Sequence, residues 1–178
     1  MVPATVNLDI CVDIKRQFVG QIIVNAGGFV ASVVEQYNIP LVIMPAIFFV
    51  VALLLAFSTG TSWGTFAILL PITVSVFGDQ LLPLTAITTA AVLGGSVCGD
   101  HISPISDTTI LSSTGADCSH INHVETQMQY GLVVAIITVI CYLASGLTQN
   151  TLIGFVLGFI LLIGFLLLAK LFYKKRAN

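Results

Sequence analysis

One polar run, residues 99–113, combines side chains that could do chemistry within a strongly apolar sequence. It holds two carboxylates, Asp100 and Asp107, and the imidazole of His101. The stretch before it is apolar and long enough to enter a bilayer. Because an aspartate near the centre of a membrane helix costs roughly 2.5 to 3.5 kcal/mol to insert, such residues typically mark ion or substrate pathways. The run therefore predicts the site of function.

The residue types in this run suit a hard cation. In a partly helical segment Asp100 and Asp107, seven residues apart, lie near one face. Gly99 permits unwinding, and Pro104 leaves the carbonyl one turn back without its amide donor. Hydroxyl, carbonyl and carboxylate oxygens are the ligands of hard cations, so the run predicts a Na⁺ site. The candidate ligands are Asp100, Ser103, Ser106, Asp107, Thr108 and Thr109.

A carboxylate removed from water favours its protonated form, so that H⁺ and a metal cation compete for it. Competition at one site, with alternating access to two sides, produces exchange of Na⁺ for H⁺. His101 could carry or relay the proton, and a purely hydrogen-bonding histidine is the alternative. For Asp100 and Asp107 the alternative is a helix N-cap, a position that aspartate favours.

A second polar break, residues 58–65, joins the apolar stretches 41–57 and 66–77. The second stretch is too short to cross a hydrocarbon core of roughly 30 Å as a helix. A glycine-containing, hydroxyl-rich break between two such pieces predicts a discontinuous helix or a re-entrant hairpin that lines a cavity. The alternative is a loop in the headgroup region. Thr61, Ser62 and Thr65 are the candidate site residues here.

Composition sets the class of protein. Of 178 residues, 57% are hydrophobic and 8% charged, and the mean hydropathy is +1.05. These values predict an integral membrane protein. The net charge of −2 does not suggest a nucleic-acid partner. Single, scattered cysteines favour neither a zinc site nor a disulfide framework, and we read His120 and His123 as a solvated face rather than a shared metal site.

The apolar segments predict an all-α, polytopic protein of about five spans in one transmembrane domain, residues 1–178. The predicted segments are a surface segment 1–16, spans and two breaks in 17–113, a cytoplasmic loop with an interfacial helix at 114–130, and two spans in 131–173. Small residues in the span 81–97 favour close helix contacts: Ala90, Ala91, Gly94, Gly95 and Ser96. Four cations, Lys170, Lys174, Lys175 and Arg176, predict a cytoplasmic C-terminus.

The two motifs, residues 60–65 and 99–113, resemble those of the NhaC-type Na⁺/H⁺ antiporter family, and residues 115–127 continue the likeness. The resemblance runs from about Asn38 to Leu147. It implies membership of the ion-transporter superfamily, whose folds are two inverted repeats with paired hairpins and broken helices around a midplane site. It also implies that the two motifs supply the site: Thr61, Ser62 and Thr65 from one, and Asp100, Ser103, Ser106, Asp107, Thr108 and Thr109 from the other.

The chain resembles only the C-terminal repeat, so we expect a partner, either another copy or an N-terminal half. The expected function is Na⁺/H⁺ exchange across a bacterial cell membrane, with Na⁺ and H⁺ as transported ions and no cofactor. Coupled exchange of organic anions, such as malate for lactate, and a transport-inactive subunit are the alternatives. Since no Arg or Lys lies near either break, inorganic cations are favoured. An enzyme is not expected, because His101, His120 and His123 match no hydrolase motif.

Overall fold

The computed structural model describes residues 26–77 and 82–177, with side chains as far as residue 171, and the regular elements in these ranges are helical. The helices are α1 (26–36), α2 (Met44–Thr59, entered through the 3₁₀ turn Leu41–Ile43), α3 (Ser62–Phe77), α4 (Leu82–Ile102), α5 (Asp107–Gly115), α6 (His120–Thr148) and α7 (Thr151–Ala177). The all-α prediction is confirmed. The predicted surface segment 1–16 and the turn at 78–81 lie outside the described residues.

Four of these helical segments are long and apolar enough to cross a membrane. They are Leu41–Thr59, Leu82–Ile102, His120–Thr148 and Thr151–Leu171, and Ser62–Phe77 is a shorter apolar helix. The polytopic helical prediction is therefore confirmed. The expected span near residues 17–34 falls mostly outside the described part of the chain. The predicted total of about five spans therefore stays a prediction.

The predicted loop at 114–130 is helical over most of its length. Only residues 116–119 separate α5 from α6, and α6 then runs for 29 residues. Such a helix extends about 43 Å, more than the roughly 30 Å of a hydrocarbon core, so its polar first turns can project beyond the lipid without ending the helix. The side of the membrane on which they lie is still a prediction.

The tightest packing in the fold joins α2 to α4. Gly95 lies against the carbonyl of Phe49, and Gly99 lies against the carbonyl of Leu53, so closely that a Cβ at either glycine would clash with backbone. The contacts advance in step along both helices, so α2 and α4 run parallel. Ala52, which is fully buried, completes this small-residue interface. The close contact predicted for Gly95 is confirmed.

Helix α3 returns antiparallel to α2 and α4. Phe48 near the start of α2, Phe77 at the end of α3 and Leu84 at the start of α4 belong to one buried cluster. This cluster forms the core of the molecule. Helix α3 has 16 residues, about 24 Å of helix, and is therefore shorter than α4, which has 21 residues.

Helices α6 and α7 pack on the outside of this core. The hydroxyl of Tyr142 on α6 donates a hydrogen bond to the Ala90 carbonyl at 3.0 Å, and Gly131 lies against Ile102. Helix α6 is therefore antiparallel to α4, and its N-terminal turns lie near the end of α4. The apolar segment of α7 makes fewer contacts with the other helices, since only 6% of it is buried.

Candidate ion-binding site

The two polar breaks predicted from the sequence meet in the structure. Because α2 and α4 are parallel and end at the same level, residues 60–61 (the first connection) and residues 103–106 (the second connection) are neighbours. Ser103 Oγ donates a hydrogen bond to the Phe57 carbonyl at 2.7 Å. Gly60 lies against Ile105, where an added Cβ would come within 2.8 Å of the carbonyl oxygen. The first and second connections are thus in direct contact.

The first connection is shorter than the predicted break. Gly60 adopts a left-handed conformation, φ 67°, and its N–H donates to the Ala56 carbonyl at 2.8 Å, which ends α2. Thr61 Oγ1 accepts a hydrogen bond from the Gly64 N–H at 3.4 Å, and this N-cap begins α3 at once. Ser62 and Thr65 therefore lie in the first turn of α3. Thr65 Oγ1 donates to the Thr61 carbonyl at 3.0 Å.

The second connection is also shorter than the predicted run. Helix α4 continues through Asp100 and His101 to Ile102, and Asp107 is the first residue of α5. The prediction that Asp100 and Asp107 share one helix face is therefore wrong, because residues 103–106 interrupt the helix between them. The carbonyl expected to be bare is also paired: the Asp100 carbonyl accepts from the Ser103 N–H at 3.2 Å.

Hydroxyl side chains fix the second connection. Ser103 and Ser106 are fully buried. Ser106 Oγ lies 2.7 Å from Thr108 Oγ1, and Thr109 Oγ1 donates to the His101 carbonyl at 3.3 Å. These contacts tie the end of α4 to the start of α5. A hydroxyl oxygen has two lone pairs, so it can bond to protein and still face a cation.

Asp100 has an unsatisfied oxygen. Among the described residues, Asp100 Oδ1 is one of two buried side-chain oxygens without a hydrogen-bond partner, and Gln127 Oε1 is the other. By helical spacing, Asp100 shares a face of α4 with Ser96 and Val92, and Val92 packs in the core cluster with Leu69 of α3. The N-cap alternative is wrong for Asp100, because it lies in the last turn of α4. A buried orphan acceptor requires an explanation, and a bound cation or water supplies one.

The surroundings of Asp100 favour positive charge. The C-terminal ends of α2 and α4 lie side by side, and each carries the equivalent of about half a negative charge. The N-terminal ends of α3 and α5 carry partial positive charge at the same connections. Thr61 accepts a hydrogen bond from an N–H at the start of α3, and Asp107 places a carboxylate in the first turn of α5, so part of this positive charge is offset. Asp107 and His101 are both exposed. Of the predicted site residues, half-buried Asp100 is thus the one with a buried carboxylate oxygen, Oδ1, that has no hydrogen-bond partner among the described residues.

Sequence reasoning missed His120. We expected a solvated face, but the residue is half-buried; His120 Nε2 lies 2.8 Å from the Pro104 carbonyl in the second connection. Its Nδ1 lies 3.1 Å from Ser113 Oγ on α5, and His123 Nε2 lies 3.1 Å from Ser112 Oγ. Two adjacent serines followed by two histidines three residues apart were the available signal. It could not be read without knowing that α5 folds back on α6.

Broken helices that meet beside a buried carboxylate are typical of secondary transporters, a class in which half-helix ends hold the coupling ions. Residues 19–147 match the Na⁺/H⁺ antiporter family, and the chain belongs to that family. The description of the family names antiporters, which are transporters. No solved structure was found to match the chain.

The curated relatives are much longer than this chain. An uncharacterized protein of Haemophilus influenzae is 50% identical over 129 residues, covering 72% of this chain and 25% of the relative. The malate-2H⁺/Na⁺-lactate antiporter of Bacillus subtilis is 33% identical over 128 residues, covering 68% and 26%. The arginine/ornithine antiporter ArcD of Halobacterium salinarum is 33% identical over 133 residues, covering 68% and 27%. The chain thus spans about a quarter of the length of these relatives.

Proposed function

We propose that this chain forms part of an NhaC-type antiporter that exchanges Na⁺ for H⁺ across the cell membrane, with the C-terminus in the cytoplasm. Asp100 holds the two ions in turn, because a carboxylate can bind either a proton or a metal cation. The hydroxyls of the second connection supply further oxygen ligands. The observation that carries the proposal is the buried, unpaired Oδ1 of Asp100 beside the C-terminal ends of two parallel helices.

The charge distribution along the sequence supports an inorganic cation. From residue 17 to residue 169 there is no Lys or Arg, so no basic side chain from this segment can pair with a substrate carboxylate. The C-terminal part of α7 is basic in sequence, with Lys170, Lys174, Lys175 and Arg176, and positively charged segments beside a span are retained in the cytoplasm. In this proposal the chain works with a further segment, either a second copy or an N-terminal half.

A second candidate is Na⁺/H⁺-coupled exchange of organic anions. The observation in its favour is the name of the Bacillus relative, a malate-2H⁺/Na⁺-lactate antiporter. In that mechanism helix N-termini, hydroxyls and bound Na⁺ would hold the substrate carboxylate. Asp100 would keep the same role, because both candidates couple Na⁺ to H⁺.

The test uses the purified chain in proteoliposomes that contain a pH-sensitive dye. A Na⁺ pulse should move protons, while K⁺ should not, and Asp100→Asn should abolish the response. Asp117→Asn is the matched control, because Asp117 is exposed in the α5–α6 connection and its replacement should leave the response intact. Proton movement that persists in Asp100→Asn would remove Asp100 from the mechanism. Addition of malate or lactate gradients distinguishes the second candidate.

Direct binding of radioactive Na⁺ to the detergent-purified chain separates the site from the transport cycle. We expect Na⁺ to bind to the wild type, K⁺ not to displace it, and no binding in Asp100→Asn. Binding without transport would assign the site to this chain and the transport cycle to an assembly with a partner.

A further inference from the structure

A buried hydroxyl lies one helical turn from Asp100 on α4. Ser96 precedes Asp100 by four residues, so the two side chains share a face of the helix, with about 5 to 6 Å between their Cβ atoms. Helical side chains lean toward the N-terminus, which directs the Asp100 carboxylate back toward Ser96. Ser96 is fully buried, and Asp100 Oδ1 is buried as well. The carboxylate oxygen and the hydroxyl are therefore neighbours inside the helix bundle.

The hydrogen of the Ser96 hydroxyl is already used. Ser96 Oγ donates to the Val92 carbonyl on its own helix at 2.7 Å, and a hydroxyl has only one hydrogen to donate. Its oxygen keeps lone pairs to which no donor among the described residues bonds. Asp100 Oδ1 is likewise a buried acceptor without a partner in the described part of the chain. Two such oxygens one turn apart favour a cation, because one cation can contact both.

Helix α3 brings a third oxygen to the same level. Leu69 on α3 and Val92 on α4 belong to one buried cluster. Since the two helices are antiparallel, one turn closer to the connections α3 presents Thr65 and α4 presents Ser96. Thr65 is 2% exposed, and its Oγ1 donates to the Thr61 carbonyl at 3.0 Å. Thr65 therefore also spends its hydrogen on its own helix and keeps an oxygen that can only accept.

We propose that Ser96 and Thr65 are ligands of the cation that Asp100 binds. The ion site then extends from the second connection into the interface between α3 and α4. It combines one charged oxygen with two hydroxyl oxygens, a set of ligands that suits a hard cation such as Na⁺. The inference rests on the proposed function, since it takes Asp100 as the carboxylate that binds the ion.

A matched control residue lies on α4. Thr88 is fully buried, and its hydroxyl donates to the Leu84 carbonyl on its own helix at 2.8 Å. It precedes Asp100 by twelve residues, about 18 Å along the helix, so it cannot share an ion with that carboxylate. Thr88→Val and Thr65→Val make the same replacement, which removes a buried hydroxyl and keeps the branched shape of the side chain. The two variants differ in their distance from Asp100.

The first test measures binding of radioactive Na⁺ to the purified chain in detergent. Ser96→Ala and Thr65→Val should each weaken binding about tenfold, as for the loss of one interaction with a charged group. Thr88→Val should bind Na⁺ as tightly as the wild type does. Unchanged binding in Ser96→Ala or Thr65→Val would overturn the proposal, and so would an equal weakening in Thr88→Val.

Thermal unfolding shows whether a variant has lost the ion or the fold. Na⁺ that binds the folded chain should raise the unfolding midpoint of the wild type above its value in choline chloride. In choline chloride Ser96→Ala should unfold at the wild-type temperature, because the hydrogen bond that it loses lies within one helix. Added Na⁺ should raise its midpoint less. A lower midpoint in choline chloride would show that Ser96 supports the fold around Asp100 without the ion, and would overturn its role as a ligand.

Transport in proteoliposomes separates this inference from the proposed function. Ser96→Ala and Thr65→Val should raise the Na⁺ KM about tenfold, and Thr88→Val should leave it unchanged. If Asp100-dependent exchange occurs with an unchanged Na⁺ KM in both site variants, the ligand assignment is wrong and the proposed function stands. If Na⁺ binding follows the expected pattern but Na⁺ moves without H⁺, the proposed exchange is wrong and the ligand assignment stands.

Discussion

The first and second connections perform the same task, ending one helix and starting the next, but they use different means. The first is built from its own backbone: Gly60 ends α2 and Thr61 caps α3. The second is held from outside, by Phe57, 46 residues away from Ser103, and by His120, 16 residues away from Pro104. A locally built turn keeps one shape, whereas a turn held by distant side chains can be released. We therefore expect movement at the second connection.

The comparison depends first on the α2–α4 pairing, and Gly99→Ala should break it. The added Cβ meets the backbone carbonyl of Leu53, which cannot rotate away, so the two helices must separate. We expect a loss of about 1 to 3 kcal/mol in the free energy of unfolding. Gly115→Ala, where nothing lies within 4 Å, is the control and should be neutral or slightly stabilising. Thermal unfolding in detergent, followed by circular dichroism, measures both, and equal midpoints would contradict the pairing.

Gly60→Ala tests whether the first connection is locally built. The left-handed backbone, φ 67°, costs an alanine about 1 to 2 kcal/mol, and the new Cβ also crowds the Ile105 carbonyl. Gly60→Asn separates the two causes, because asparagine tolerates this conformation but keeps the crowding. We expect the order of thermal stability to be wild type, then Asn, then Ala. An alanine variant as stable as the wild type would show that neither constraint matters.

Ser103→Ala should loosen the second connection without affecting the first. It removes the hydrogen bond to the Phe57 carbonyl, and loss of a buried partner costs about 1 to 3 kcal/mol. Ser58→Ala is the control, since Ser58 is exposed and its hydroxyl donates to the Leu55 carbonyl on its own helix. Hydrogen exchange should increase in residues 103–115 for Ser103→Ala and stay unchanged for Ser58→Ala. Increased exchange confined to residues 58–65 would contradict the assignment.

Asp107→Asn should have the smallest effect. Its carboxylate is exposed in the first turn of α5, where it interacts with the helix dipole for about 0.3 to 1 kcal/mol. We expect Na⁺-driven proton movement to be retained, in contrast to its loss in Asp100→Asn. Abolition of transport by Asp107→Asn, with unchanged thermal stability, would restore Asp107 as an ion carrier and place the site on α5 as well.

The sequence predicted those features that local patterns encode. Long apolar segments predicted a helical membrane protein. Glycine and hydroxyl residues predicted the positions of both breaks. The lengths of the breaks were overestimated, because Ser62 and Asp100 are as compatible with a helix end as with unwound chain. The seven-residue spacing of Asp100 and Asp107 was misread for the same reason.

The contacts that define the candidate site could not be read from the sequence. The bond from Ser103 to Phe57 depends on α2 and α4 being parallel, and no local signal specifies which pairs of helices are parallel. The contact from His120 to Pro104 depends on the fold of α5. Polar residues at the start of a long helix have the same sequence pattern whether they face water or a neighbouring helix. The sequence therefore predicted a solvent-exposed His120.

The parallel pairing of α2 with α4 also affects the synthesis of the protein. The close contacts between them join residues far apart in the sequence: Gly95 with Phe49 and Gly99 with Leu53, 46 residues apart in both cases. At a ribosome speed of about 5 to 20 residues per second, α4 emerges about 2 to 9 s after α2. During that interval the face of α2 that later packs against Gly95 and Gly99 of α4 has no α4 to pack against. A chaperone or insertase that shields α2 would act in this interval, and a pause in translation before α4 would prolong the exposure.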